Sequence, residues 1–163
     1  SHLLAAGRRR IAFLGHASIP FIEKHESYRG CDAALYEAGA SLDPALQVDA
    51  ESTEDSGYAA AQELLRRERP FDAVFAASDL IAIGAMRAFA ERGLRVPEDV
   101  AMVGFDDVPA ARNATPSLTT IRQDAERAGE LLVEALVRLI DDAPTESTRL
   151  PTTRGVRQST NVA

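Results

Sequence analysis

Short apolar runs alternate with helical patterns along almost the whole chain, and that alternation restricts the fold more than any single residue does. Ile11-Ala12-Phe13-Leu14, closed by Gly15, has the size and content of a parallel strand buried on both faces. Residues 73–77 and 100–105 read the same way, and residues 46–48 more weakly. Between these runs, residues 26–38 carry Tyr28, Cys31, Ala34 and Leu35 at helical spacing, with Gly39 where a C-cap belongs. Residues 53–67 put Tyr58, Ala61, Leu64 and Leu65 on one face behind a Ser52 or Thr53 cap, and residues 79–92 form a third helix ending at Gly93. A loop to Ser117, a short strand over 118–122, a long helix from Asp124 to Ile140 and a strand pair within 149–158 complete the pattern. Strand–helix units of roughly 25–30 residues predict an α/β fold, a parallel sheet with helices on both faces.

In such open sheets ligands bind beyond the carboxyl ends of the strands, where the strand order reverses. The segments to watch are therefore 15–27, 49–53, Ser78-Asp79 and 105–112. Asp106-Asp107 follows an apolar run, so the pair could hold Mg²⁺, accept a phosphoryl group or bind sugar hydroxyls. Equally, Asp107 could cap a turn beside Pro109 while Asp106 stays in water. A phosphoryl-accepting site also wants a lysine at a later strand end, and Lys24 is the sole lysine. Ser78-Asp79 needs no role beyond a helix N-cap. His16 could donate to a ligand or stand in water as a loop histidine, and Cys31 reads as a small core residue. His2, His16 and His25 lack metal-ligand spacing, and no glycine-rich phosphate loop occurs. The sequence offers no catalytic set, no metal site and no cofactor motif, so a binding domain fits better than an enzyme.

Composition narrows the partners. The 163 residues carry a net charge of −7 with a pI near 5.0, which repels DNA phosphates and argues against direct nucleic-acid contact by this stretch. A single cysteine forms no internal disulfide and points to a reducing, cytoplasmic compartment, and no apolar run reaches the ~20 residues of a membrane helix. The helix from Asp124 has a wide apolar stripe of Ala128, Leu131, Leu132, Ala135, Leu136 and Leu139, broadened by Val133 and Val137. It packs either on this domain's own sheet or on something outside these residues.

Several longer phrases share one likeness. Residues 71–86 (FDAVFAASDLIAIGAM), 93–100 (GLRVPEDV), Val103-Gly104-Phe105-Asp106-Asp107 and 116–124 (PSLTTIRQD) together resemble the effector-binding core of the lactose-repressor (LacI/GalR) family of bacterial transcription regulators. Weaker echoes at 10–15, 30–39, Ser56-Gly57-Tyr58 and 150–160 extend the likeness over nearly the whole chain.

The resemblance implies a periplasmic-binding-protein-like, type I fold with ligand held between two lobes. Residues 1–122 would form the C-terminal lobe and 123–148 would cross into an N-terminal lobe otherwise absent from this chain. Residues 149–163 would then return. It implies a cytoplasmic homodimer, a carbohydrate-like effector, no cofactor, no membrane contact, and operator DNA bound only through a helix-turn-helix preceding Ser1. A periplasmic solute-binding protein of a sugar uptake system is the alternative. Carried over residue by residue, Asp106, Ser78 and Gln123 match ligand-facing positions, with Phe105 and His16 beside them. Ser27 stands where the likeness expects a clamping arginine, and Ser52 where it expects a stacking aromatic ring. Those departures count against a plain hexose, with Phe21, Tyr28 or Arg29 as possible substitutes. Ile83, Met86, Ala110 and Ala114 match a dimer surface, although Ile83 and Met86 fit a core role equally well.

Overall fold

The structure, a computed structural model, describes residues 2–16 and 22–161. Four strands, β1 (Ile11–Leu14), β2 (Gln47–Val48), β3 (Ala73–Ala76) and β4 (Ala101–Val103), form a parallel sheet in the order β2-β1-β3-β4. The chain leaves β1 for one side to make β2 and then crosses to the other for β3, so the order reverses at β1. The carboxyl ends of β1 and β3 thus flank the place where such sheets bind ligands.

Side chains alternate across the sheet with a period of two and feed two separate cores. Ala12, Leu14, Val74, Ala76 and Met102 face α3 (Glu54–Arg66) and α4 (Asp79–Glu91). Ile11, Phe13, Ala73, Ala101 and Val103 face the opposite side, with Leu3 of α1 (His2–Ala5) and Leu35 of α2 (Ile22–Glu37). Helices on both faces explain why β1, β3 and β4 are apolar throughout rather than alternating. Three helix starts follow the sequence reading. Thr53, Ser78 and Asp124 accept hydrogen bonds from the backbone N–H groups of Ser56, Ile81 and Arg127.

The sheet continues past β4. The Gly104 N–H donates to the Thr119 carbonyl at 2.9 Å and the Asp106 N–H to the Ile121 carbonyl at 2.8 Å, laying β5 (Thr120–Arg122) alongside. β6 (Thr153–Gly155) then pairs antiparallel with β5. The segment 149–158 therefore contributes one strand whose partner is β5, not a pair of its own. Between them α6 (Ala125–Ile140) leaves the body of the domain, and none of its residues is buried. Leu132 is 71% exposed and Ile140 72%, so the apolar stripe does not cover this domain's own sheet. The loop expected after Asp106-Asp107, running to Ser117, contains one more helix, α5 (Pro109–Asn113), with proline at its first turn.

Candidate ligand site at the strand ends

Ser78 and Asp79 close β3 and open α4, and they divide the work that either could have done. The Ser78 hydroxyl caps the helix, accepting from the Ile81 N–H at 3.3 Å. Asp79, fully buried, turns sideways toward β4 and β5. One of its oxygens accepts from the Thr120 hydroxyl at 2.5 Å and the other from the Val108 N–H at 2.9 Å. Its own N–H donates to the Phe105 carbonyl at 2.8 Å. Gly104 makes this possible, since a Cβ there would collide with the Asp79 carboxylate. Burial pushes the Asp79 carboxyl above its ordinary range, against the pull of its hydrogen bonds.

The next turn presents the acids. Asp106 and Asp107 both have positive φ, at 111° and 58°, a region non-glycine residues seldom occupy. Their carboxylates separate as a result. Asp106 stands exposed at the strand end and accepts from Gln123 Nε2 at 2.8 Å. Loss of surrounding water raises its carboxyl above the usual value, and the Gln123 amide opposes that rise. Asp107 points the other way, with its side chain only 6% exposed between Arg157 Nη2 at 2.5 Å and Arg112 Nη2 at 2.9 Å. Burial would raise this carboxyl, but the two guanidinium groups outweigh it and hold it below the usual range. Asp107 is thus a paired structural acid and not a turn cap. The N-cap of α5 is Val108, which makes no side-chain capping bond. The two acids do not form a bidentate metal cradle, and no cluster of three or more histidine, cysteine or acidic residues among the described residues is placed to hold a metal.

His16, at the end of β1, is 9% exposed and so is not a loop histidine in water. Its Nε2 stands 3.0 Å from Glu51 Oε1, off the line a hydrogen bond requires. Ser52 is exposed in the loop after β2, and Phe105 is half-buried between Gly104 and the acids. Ser27 is half-buried on α2, well inside a helix that starts at Ile22 rather than near Glu26. Of the residues weighed as substitutes for the missing cation and ring, Tyr28 is engaged edge-on with Phe13 at 5.5 Å, Arg29 is exposed, and Phe21 lies outside the described residues. Asp106 and Gln123 are brought into direct contact. Ser78 and Phe105 are linked through the Asp79 backbone.

At the surface expected to dimerise, Ile83 is half-buried, Ala110 exposed and Ala114 half-buried, whereas Met86 is 6% exposed and belongs to the core. Sequence reasoning passed over Arg157, Arg112 and Thr120, which hold the acidic turn in place. Only their occurrence near recognisable phrases could have drawn attention to them.

Known proteins carry the same architecture. The periplasmic binding protein-like domain family matches residues 1–160, and the chain belongs to it. The HTH-type transcriptional regulator CelR of Thermobifida fusca is 41% identical over 150 residues, which is 91% of this chain but 43% of that protein. A solved transcriptional regulator CelR–cellobiose complex superposes with a TM-score of 0.90 at 41% identity, over 96% of this chain and 48% of that one. A lac repressor dimer bound to operator and an anti-inducer gives 0.90 at 30% identity, over 99% of this chain and 48% of that one. The likeness to the LacI family read from the motifs therefore holds. These relatives are transcription regulators, not solute-binding proteins of uptake systems, and the chain spans less than half of each.

Proposed function

We propose that this chain is the effector-sensing and dimerising portion of a cytoplasmic DNA-binding regulator, with a carbohydrate-like ligand held at the carboxyl ends of β1, β3 and β4. The observation that carries the reading is the exposed Asp106 carboxylate, fixed at a strand end by Gln123, on a fold shared with a regulator solved with cellobiose. A carboxylate so placed accepts two hydrogen bonds from neighbouring sugar hydroxyls and repels anions. His16, Ser52 and Phe105 at the same end of the domain, Ser27 on α2 and Ser78, which also caps α4, are the further residues assigned to this site. With small residues at Ser27 and Ser52 in place of a cation and an aromatic ring, the pocket suits a ligand larger than a single hexose.

Residues 1–122 form one lobe, 123–148 cross to a second, and 149–163 return. Support comes from the paired β5 and β6 at the sheet edge and from the unburied α6 between them. Ile83, Ala110 and Ala114 supply small and apolar surface for a two-fold contact above Met86. Ligand acts through its different affinities for two lobe arrangements, which a DNA-binding head on the natural protein would read out, with no covalent chemistry.

The test is to titrate the natural full-length protein with mono- and disaccharides, cellobiose included, while measuring its affinity for DNA from upstream of its own gene. A bound sugar is expected to change that affinity by about tenfold or more. Sugar binding without any change in DNA affinity, or no sugar binding at all, contradicts the proposal.

A further inference from the structure

The two aspartates after β4 are tied to opposite ends of the excursion that carries α6. Asp106 is bonded to Gln123, the residue directly after β5. Asp107 is bonded to Arg157, two residues after β6. The Arg157 guanidinium is forked. Its Nη2 donates to Asp107 Oδ1 at 2.5 Å and its Nη1 to the Leu118 carbonyl at 2.7 Å, while its backbone N–H donates to Thr119 Oγ1 at 2.8 Å. One residue therefore joins the turn after β4, the residues just before β5 and the segment returning from α6.

The positive φ angles at Asp106 and Asp107 cost backbone energy and persist only where the surroundings over-determine them. The Asp106 N–H is held by the Ile121 carbonyl, and Asp107 is held from both sides by Arg112 and Arg157. Arg112 lies on α5, five residues after Asp107, and its side chain is 58% exposed against 18% for Arg157. Arg157 is the less exposed of the two and comes from a separate part of the chain. A lysine would keep the charge but could not reach both acceptors with a rigid planar fork.

We infer that Arg157 is a positioning residue: through its ion pair with Asp107 it fixes the left-handed turn that aims the Asp106 carboxylate at the ligand. The inference rests on the proposed role of Asp106 as a ligand-binding acid.

The test compares the natural full-length protein with its Arg157→Gln and Arg157→Lys variants by amide hydrogen exchange and by calorimetric titration with cellobiose. In Arg157→Gln, exchange at the Asp106 amide is expected to accelerate about tenfold or more while amides of β1 and β3 keep their wild-type rates. Arg157→Lys is expected to fall between. Uniform acceleration across the sheet shows a merely structural role and overturns the inference, as does an unchanged rate at Asp106. If the glutamine variant does not fold, the lysine variant is judged by the same two criteria. Where the wild type binds cellobiose, Arg157→Gln should weaken binding by about tenfold or more, and an unchanged affinity overturns the inference. A wild type that ignores cellobiose refutes that sugar as the ligand. The exchange pattern still decides whether Arg157 holds the turn.

Discussion

Asp79 does its work in place, fully buried, where one carboxylate satisfies the Thr120 hydroxyl and the Val108 N–H and so fastens both the α5 loop and β5 to the start of α4. Removing the carboxyl leaves two donors stranded, whereas an asparagine can accept from Val108 and donate to the Thr120 oxygen once that hydroxyl rotates. Asp79→Ala should therefore cost about 2–4 kcal/mol in urea unfolding, and Asp79→Asn less than about 1 kcal/mol. The pH dependence has a definite sign. The folded carboxyl holds its proton above the ordinary value of 3.8, so the folded state binds more protons than the unfolded chain between that value and the raised one. The contribution of Asp79 to stability accordingly falls as pH rises through that window, so Asp79→Asn gains on the wild type there. Unfolding curves for the two proteins between about pH 4 and 7 check it, and parallel profiles would count against it. None of this was visible in the sequence, where Ser78-Asp79 offered two good caps and no means of telling which one caps. Although the strand itself stops at Val103, the sequence singled out Asp106 because it follows an apolar run within a familiar phrase. Its neighbour's ion pair with Arg157 spans 50 residues, a separation at which local patterns carry no signal.

Helices α3 and α4 meet almost backbone to backbone. A Cβ at Gly84 would fall on the Glu54 carbonyl oxygen, and one at Gly57 on the Ile81 carbonyl oxygen. Neither neighbour is a flexible side-chain end, so the helices themselves would have to part. Gly84→Ala is expected to destabilise the domain by about 3 kcal/mol despite alanine's better helix propensity, and a gain in urea midpoint would refute this close packing. At this scale the sequence was most informative where periodicity ran long. The three helices from Thr53, Ser78 and Asp124 and the strands at 11–14, 73–76 and 101–103 lie within a few residues of their expected limits. It failed on short pieces. α1 has four residues and α5 five, too few for a 3.6-residue period to show, although Pro109 marked the start of α5. β6 lies within the 149–158 segment where a strand pair was expected, but its partner is the edge of β5, a pairing that no property of residues 153–155 announces.

For the molecule as a whole, the sheet, its two cores and the acidic turn form a self-consistent lobe, while α6 presents Leu132, Val133, Leu136, Val137, Leu139 and Ile140 to solvent. A helix with so much exposed apolar surface is stable only against a partner. Under the proposed function that partner is a second lobe of the natural protein, and ligand binds where the lobes meet, over Asp106. The structure of the natural full-length protein with a saccharide bound tests this most directly. A sugar hydroxyl is expected within about 3 Å of the Asp106 carboxylate, with the apolar face of α6 buried in a lobe other than that of residues 1–122. A saccharide seated away from the strand ends, or α6 still bare beside a bound ligand, would contradict the proposal.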